Sequence, residues 1–166
     1  MDTVNHFFTR STVLHARAEY ALGFVVCMWL MISHWSELDI LQAVLLFAYI
    51  DLIGTVPALW AYNRSPDGQV PKAYYHVYNF LHSFVTQGVV MIAYVEVFGW
   101  QWCLLGIPTH LFIDRFMFNN YPKPLGVAFD PVKHPVFEKF EREYAEFDAS
   151  GVDWKAIKKN ETSLTA

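Results

Sequence analysis

The chain has 166 residues, 54% of them hydrophobic and 17% charged, with a formal net charge of −4. A water-soluble domain of this size seldom carries so much apolar residue with so little charge, and no basic run is present to bind nucleic acid. Cys27 and Cys103 both fall in apolar stretches, which leaves no disulfide framework or CxxC metal motif and reads as two small buried hydrophobes.

The apolar residues come in blocks, and the length accommodates four spans of ~20 residues each with short loops. The expected fold is therefore all-α: a polytopic four-helix transmembrane bundle over residues 1–126, with a cytoplasmic tail over 127–166. Helices are assigned because hydrocarbon leaves an open segment no other way to satisfy its backbone groups. Span one is Ala18–Ser33. It has no small-x-small cleavage site and runs into the polar "SHWSELD", so it reads as a retained span and not a signal peptide. Span two is Leu38–Tyr62, loosened near its end by Gly54 and Pro57. The polar "NRSPDGQVPK" follows, and Pro66, Gly68 and Pro71 break any helix there. Span three is Tyr75–Phe98 and span four Gly99–Phe118. The tail opens with "NNYPKPLGVAFDPVKHPVF", too rich in proline to be one helix. Phe137, Phe140, Tyr144 and Phe147 then recur at helical spacing, which predicts an amphipathic helix over about 135–147. Such a stripe lies on the bundle or on lipid headgroups, or else docks a protein partner. The final "KKNETSLTA" is expected to fray.

Lys and Arg set the orientation. Arg10 and Arg17 precede span one, Arg64 and Lys72 separate spans two and three, and Arg115, Lys123, Lys133 and Lys139 follow span four; the other two loops have neither. Both termini are thus expected in the cytoplasm, with Trp35, Trp100 and Trp102 in an aromatic belt on the far side. His6, His34 and His134 read as interfacial side chains.

Depth along each span brings the ionisable residues together. Asp51 lies roughly 20 Å below the far-side entrance of span two, and His110 and Asp114 roughly 16 and 22 Å below that of span four. His82 belongs to the first turns of span three, and His15 and Glu19 to the entrance of span one. A charged group inside a span costs ~2.5–3.5 kcal/mol on insertion scales, so these groups are expected to face one another around a cation. His110 and Asp114 are i and i+4, one above the other on a helix face, as helical bundles present metal ligands. His76 and His82 do not share a face, and His82 is the one expected at the site. The competing expectation for the α-helical pair is a salt bridge from Asp114 to Arg115 or Arg64, with His110 hydrogen-bonded to a neighbouring helix.

Two stretches resemble a known family. "FLHSF" at Phe80–Phe84 and "GIPTHLFIDRF" at Gly106–Phe116, with "YPKPLG" after it, are similar to the recurring motifs of bacterial inner-membrane proteins described as predicted membrane-bound metal-dependent hydrolases. Thr109 stands where that family usually has serine, and "AYIDLIGTVP" holds Asp51 without the family's second acid. The resemblance implies functional roles for His82, Ser83, His110, Asp114 and Asp51, and a location in the bacterial inner membrane.

The resulting expectation is a membrane-embedded hydrolase of a lipid or lipid-linked phosphoester. Asp51, His82, His110 and Asp114 would hold a divalent ion, Zn²⁺ or Mn²⁺ before Fe²⁺. Glu19 would act as general base, and Arg64 or Arg115 would hold a phosphate. The competing readings are a non-catalytic accessory subunit of a larger membrane complex, and a di-iron redox bundle, which calls for more carboxylates than this chain offers.

Overall fold

A computed structural model of the chain describes residues 7–164; His6 and residues 165–166 lie outside them. The described residues form eight α-helices and no strand: α1 Arg10–Ser33, α2 Ile40–Gly54, α3 Val56–Arg64, α4 Lys72–Leu81, α5 Phe84–Phe98, α6 Gly106–Phe116, α7 Pro135–Glu146 and α8 Trp154–Leu164. The chain divides into two compact units, Met1–Pro131 and Val132–Ala166.

Among the described residues, two stretches are long and apolar enough to cross a membrane: α1, and α2 with α3 taken together as Ile40–Arg64. Their apolar side chains point outward. Leu22, Val25 and Trp29 of α1 and Leu41, Val44 and Leu45 of α2 are each more than 40% exposed, a surface that suits hydrocarbon and not water. The helix starts are set locally. Thr9 and Thr12 cap one another at the start of α1, and the Asp39 side chain accepts from the Gln42 N–H at 2.9 Å at the start of α2.

The expected third and fourth spans take a different form. Span three is a pair, α4 and α5, bent by 57° at His82–Ser83, and it counts as a third crossing only if that pair is one broken span. No proline or glycine marks this break. Gln87 holds it from within the core: its Nε2 donates to the Leu81 carbonyl at 2.7 Å, and its Oε1 accepts from the Tyr49 hydroxyl. Gln87 is 1% exposed. Gln87→Leu strands both partners, and a loss of ~1–3 kcal/mol is expected in thermal unfolding of the detergent-solubilised protein. In place of span four, a 3₁₀ turn at Trp102–Leu105 leads into α6, whose 11 residues rise only ~16 Å, about half a bilayer core.

That short helix is central. α6 packs against α1, α2 and α5, and Ile107 and Leu111 join Ile50 and Leu104 in the main core. Glycine makes the approach close enough. A Cβ on Gly106 would lie 2.4 Å from the Ala43 carbonyl oxygen, and one on Gly23 would lie 2.5 Å from the Phe112 ring. A second core of Ala58, Tyr75, Tyr78 and Phe129 ties the proline-rich segment down. Asn79 clamps that segment in both directions, donating to the Lys123 carbonyl at 2.8 Å and accepting from the Lys123 N–H at 2.6 Å. Burial there holds the Lys123 ammonium below the usual lysine range, and it sits 4.9 Å from the centre of the Tyr78 ring.

In the second unit, Pro135 opens α7 at a position that needs no N–H. Phe137, Phe140 and Tyr144 form one stripe with ring centroids 6.0 and 5.8 Å apart, while Phe147, expected in that stripe, is the extended C-cap just past the helix. The end of the chain, expected to fray, is helical as far as Leu164 in α8.

Candidate metal centre

Three helices end at one place. Asp51 lies in the last turn of α2, His82 is the C-cap of α4, and Asp114 lies in the last turn of α6, with His110 one turn before it. α2 stops there because the chain turns at Thr55 into α3, which has Pro57 in its first turn. Gly54 lets α2 lie directly beside His82: a Cβ on it would stand 3.4 Å from His82 Cε1. A helix C-terminus carries partial negative charge and disfavours a carboxylate. Asp51 and Asp114 therefore add negative charge where two helix dipoles already supply it, and a cation is the natural complement.

Each side chain is held from behind. His82 Nδ1 is 2.9 Å from the Tyr78 carbonyl, an oxygen that only accepts, so Nδ1 carries the hydrogen and Nε2 faces the cluster. The Tyr78 ring stacks on the imidazole at 3.9 Å and 15°. Arg115 donates to the His82 carbonyl at 3.1 Å and fixes the backbone at the α4–α5 break. Thr55 Oγ1 donates to Asp51 Oδ1 at 2.5 Å. Asn120 Nδ2 approaches Asp114 Oδ2 at 3.4 Å, and its backbone N–H donates to the Asp114 carbonyl at 2.9 Å.

The facing atoms are evenly spaced. His82 Nε2 lies 3.3 Å from Asp51 Oδ1 and 3.5 Å from Asp114 Oδ2. His110 Nε2 lies 3.9 Å from Asp51 Oδ2 and 3.6 Å from Asp114 Oδ2. Asp51, His82 and His110 form the tightest group, each with a ligand atom within 4.8 Å of the others. A proton on His82 would serve the carboxylates, but His110 Nε2 is buried with no hydrogen-bond partner. A divalent ion held by Asp51, His82 and His110 would serve that nitrogen. His82, His110 and Asp114 are buried, whereas the Asp51 side chain is 44% exposed, so the cluster opens on the Asp51 side.

The expected salt bridge does not form among the described residues. Asp114 faces the two imidazoles, and neither Arg64 nor Arg115 pairs with it. The guanidinium of Arg115 is spent on the His82 carbonyl and the Tyr20 hydroxyl and lies 4.5 Å from the centre of the Phe84 ring. Arg64 is exposed and lies over the Trp60 ring at 3.9 Å. Glu19, His15 and His76 are exposed. Ser83 caps the start of α5 without a side-chain hydrogen bond to it. Sequence reasoning did not anticipate Thr55, Tyr78 or Asn120. Thr55 and Tyr78 each stand four residues from a ligand, on the same helix face or at its end, and that spacing was the available signal. Thr55→Val removes the donor that orients Asp51, and an affinity for Zn²⁺ about 10–100-fold weaker is expected by competition titration against a chelating dye.

Comparison of the chain with protein-family models, with curated proteins and with solved structures finds no match.

Proposed function

We propose that this chain is a membrane-embedded, metal-dependent hydrolase of a lipid or lipid-linked phosphoester, working at the cytoplasmic side of a bacterial inner membrane with both termini in the cytoplasm. The observation that carries the reading is the convergence of two imidazoles and two carboxylates from α2, α4 and α6, with His110 Nε2 buried and making no hydrogen bond. A divalent ion there would supply an acidified water and polarise a phosphoryl oxygen.

The protein's own part follows from how the four residues are held. His82 is locked in one tautomer by the Tyr78 carbonyl. Asp114 and His110 are buried, so the Asp114 charge acts with little screening. Asp51 is the partly exposed member, so substrate meets the centre on its side. Thr55 holds Asp51 through Oδ1, and Oδ2 faces His110. In this arrangement Arg115 acts as a positioning residue for His82.

Metal analysis of the detergent-purified protein tests the reading, together with release of phosphate or head group from phospholipid liposomes. About one equivalent of zinc or manganese with turnover supports it. A metal-free protein that co-purifies with a larger assembly would instead favour the accessory-subunit reading. Bound iron with visible absorbance would favour a redox centre, although among the described residues Asp51 and Asp114 are the acids of the tight ion-pair cluster.

A further inference from the structure

Beside the metal centre lies a groove of about 360 Å³ between α1, α2 and α6. Met28 and Met31 form one wall, Ile40, Val44 and Phe47 a second, and Thr109 belongs to the third. The surface it presents is apolar, since the Thr109 hydroxyl is turned back to the Leu105 carbonyl at 2.6 Å. We propose that this groove binds one acyl chain of a membrane phospholipid whose phosphate head reaches Asp51.

The register of α2 carries the proposal. Ile40, Val44, Phe47 and Asp51 follow one another at spacings of four, three and four, a single stripe along the helix. Three apolar side chains of the groove thus lead directly to the partly exposed carboxylate. Phe47 marks the junction: its ring meets the His110 imidazole edge-on, with centroids 4.8 Å apart. On α6 the groove residue Thr109 is next to His110, and the groove residue Ile113 is next to Asp114. A ligand aligned with this stripe is apolar for ~10 Å, from Ile40 to Phe47, and polar one turn further on. The walls belong to α1 and α2, the helices suited to cross a membrane, so acyl chains are the medium at the groove's mouth. With the orientation proposed above, the head lies on the cytoplasmic side of the groove, and the groove runs from Phe47 toward the far-side entrance of α2 at Ile40. This inference rests on the hydrolase reading for its choice of a phosphate head.

The test uses the full chain in liposomes that contain a phosphatidylglycerol with a photoactivatable diazirine on one acyl chain. After illumination, labelled peptides are mapped by mass spectrometry, and zinc is measured on the same samples. Labelling of Met28, Met31 and Val44 is expected several-fold above that of Val85 and Val89, which are exposed apolar residues on α5. Val44→Trp and Ile40→Trp fill the groove from positions that are 56% and 50% exposed, and each is expected to remove the excess labelling while zinc is retained. Even labelling of α1, α2 and α5, or excess labelling that survives both substitutions, overturns the proposal whatever the zinc content. Groove labelling in a wild-type protein that binds no zinc would uphold the acyl site and defeat the hydrolase reading.

Discussion

His110→Ala is expected to yield a folded membrane protein that has lost its divalent ion. The fall in affinity should exceed the ~10–100-fold that loss of an outer-shell partner costs, because a ligand itself is removed. The competing view, a hydrogen-bond network without metal, predicts a different penalty. In that view truncation strands buried partners at ~1–3 kcal/mol. In this structure His110 Nε2 makes no hydrogen bond, and its carboxylate neighbours Asp114 and Asp51 stand off at 3.6 and 3.9 Å. The contrast appears in thermal unfolding with and without a chelator. Metal at 100 times its dissociation constant stabilises the native state by ~2.7 kcal/mol. Chelation should therefore lower the unfolding temperature of the wild type and leave His110→Ala unchanged. A mutant that keeps the wild-type metal content would remove His110 from the centre.

The second large effect concerns Gly106. Its Cα faces the Ala43 carbonyl so closely that a Cβ would stand 2.4 Å from the oxygen. That contact is with backbone, so no rotamer change relieves it. Gly106→Ala must push α6 away from α2, at an overpacking cost of ~1–3 kcal/mol or more. His110 and Asp114 move with α6, whereas Asp51 stays with α2, so metal affinity should fall along with stability. Gly88→Ala is the matched control. It lies inside α5 with nothing within 4 Å of the new Cβ, and the higher helix propensity of alanine should stabilise the protein by ~1 kcal/mol. Comparable unfolding temperatures for the two variants would show that the α2–α6 contact is not as close as described.

Much of the centre was legible in the residue pattern. The i, i+4 spacing of His110 and Asp114 places both on the buried face of α6, and charge burial was reason enough to bring Asp51 to them. Helix geometry showed that His76 and His82 cannot share a face but did not choose between them; burial does, with His82 buried and His76 exposed. The break at His82–Ser83 was not legible, because it is imposed by tertiary contacts: Gln87 on the Leu81 carbonyl and Arg115 on the His82 carbonyl. The break matters to the site, since it makes His82 a helix C-cap whose ring nitrogen is oriented by its own last turn. The α2–α3 break, by contrast, was announced by Gly54 and Pro57. The fourth hydrophobic block resembled a span by composition, yet its polar residues and Gly106 suit a short inner helix enclosed by protein. The exposed placement of Glu19 and Arg64 depends on helix rotation, which apolar flanks on every side do not specify.

Asp51, His82, His110 and Asp114 are expected to close around one divalent cation. X-ray absorption at the zinc edge, on purified protein loaded with one equivalent of Zn²⁺, tests it most directly. A first shell of nitrogen and oxygen at ~2.0–2.1 Å, with the outer scattering of two imidazole rings that drops to one in His110→Ala, is the predicted result. A sulfur-containing shell, a spectrum unchanged by His110→Ala, or no stoichiometric zinc at all would contradict it.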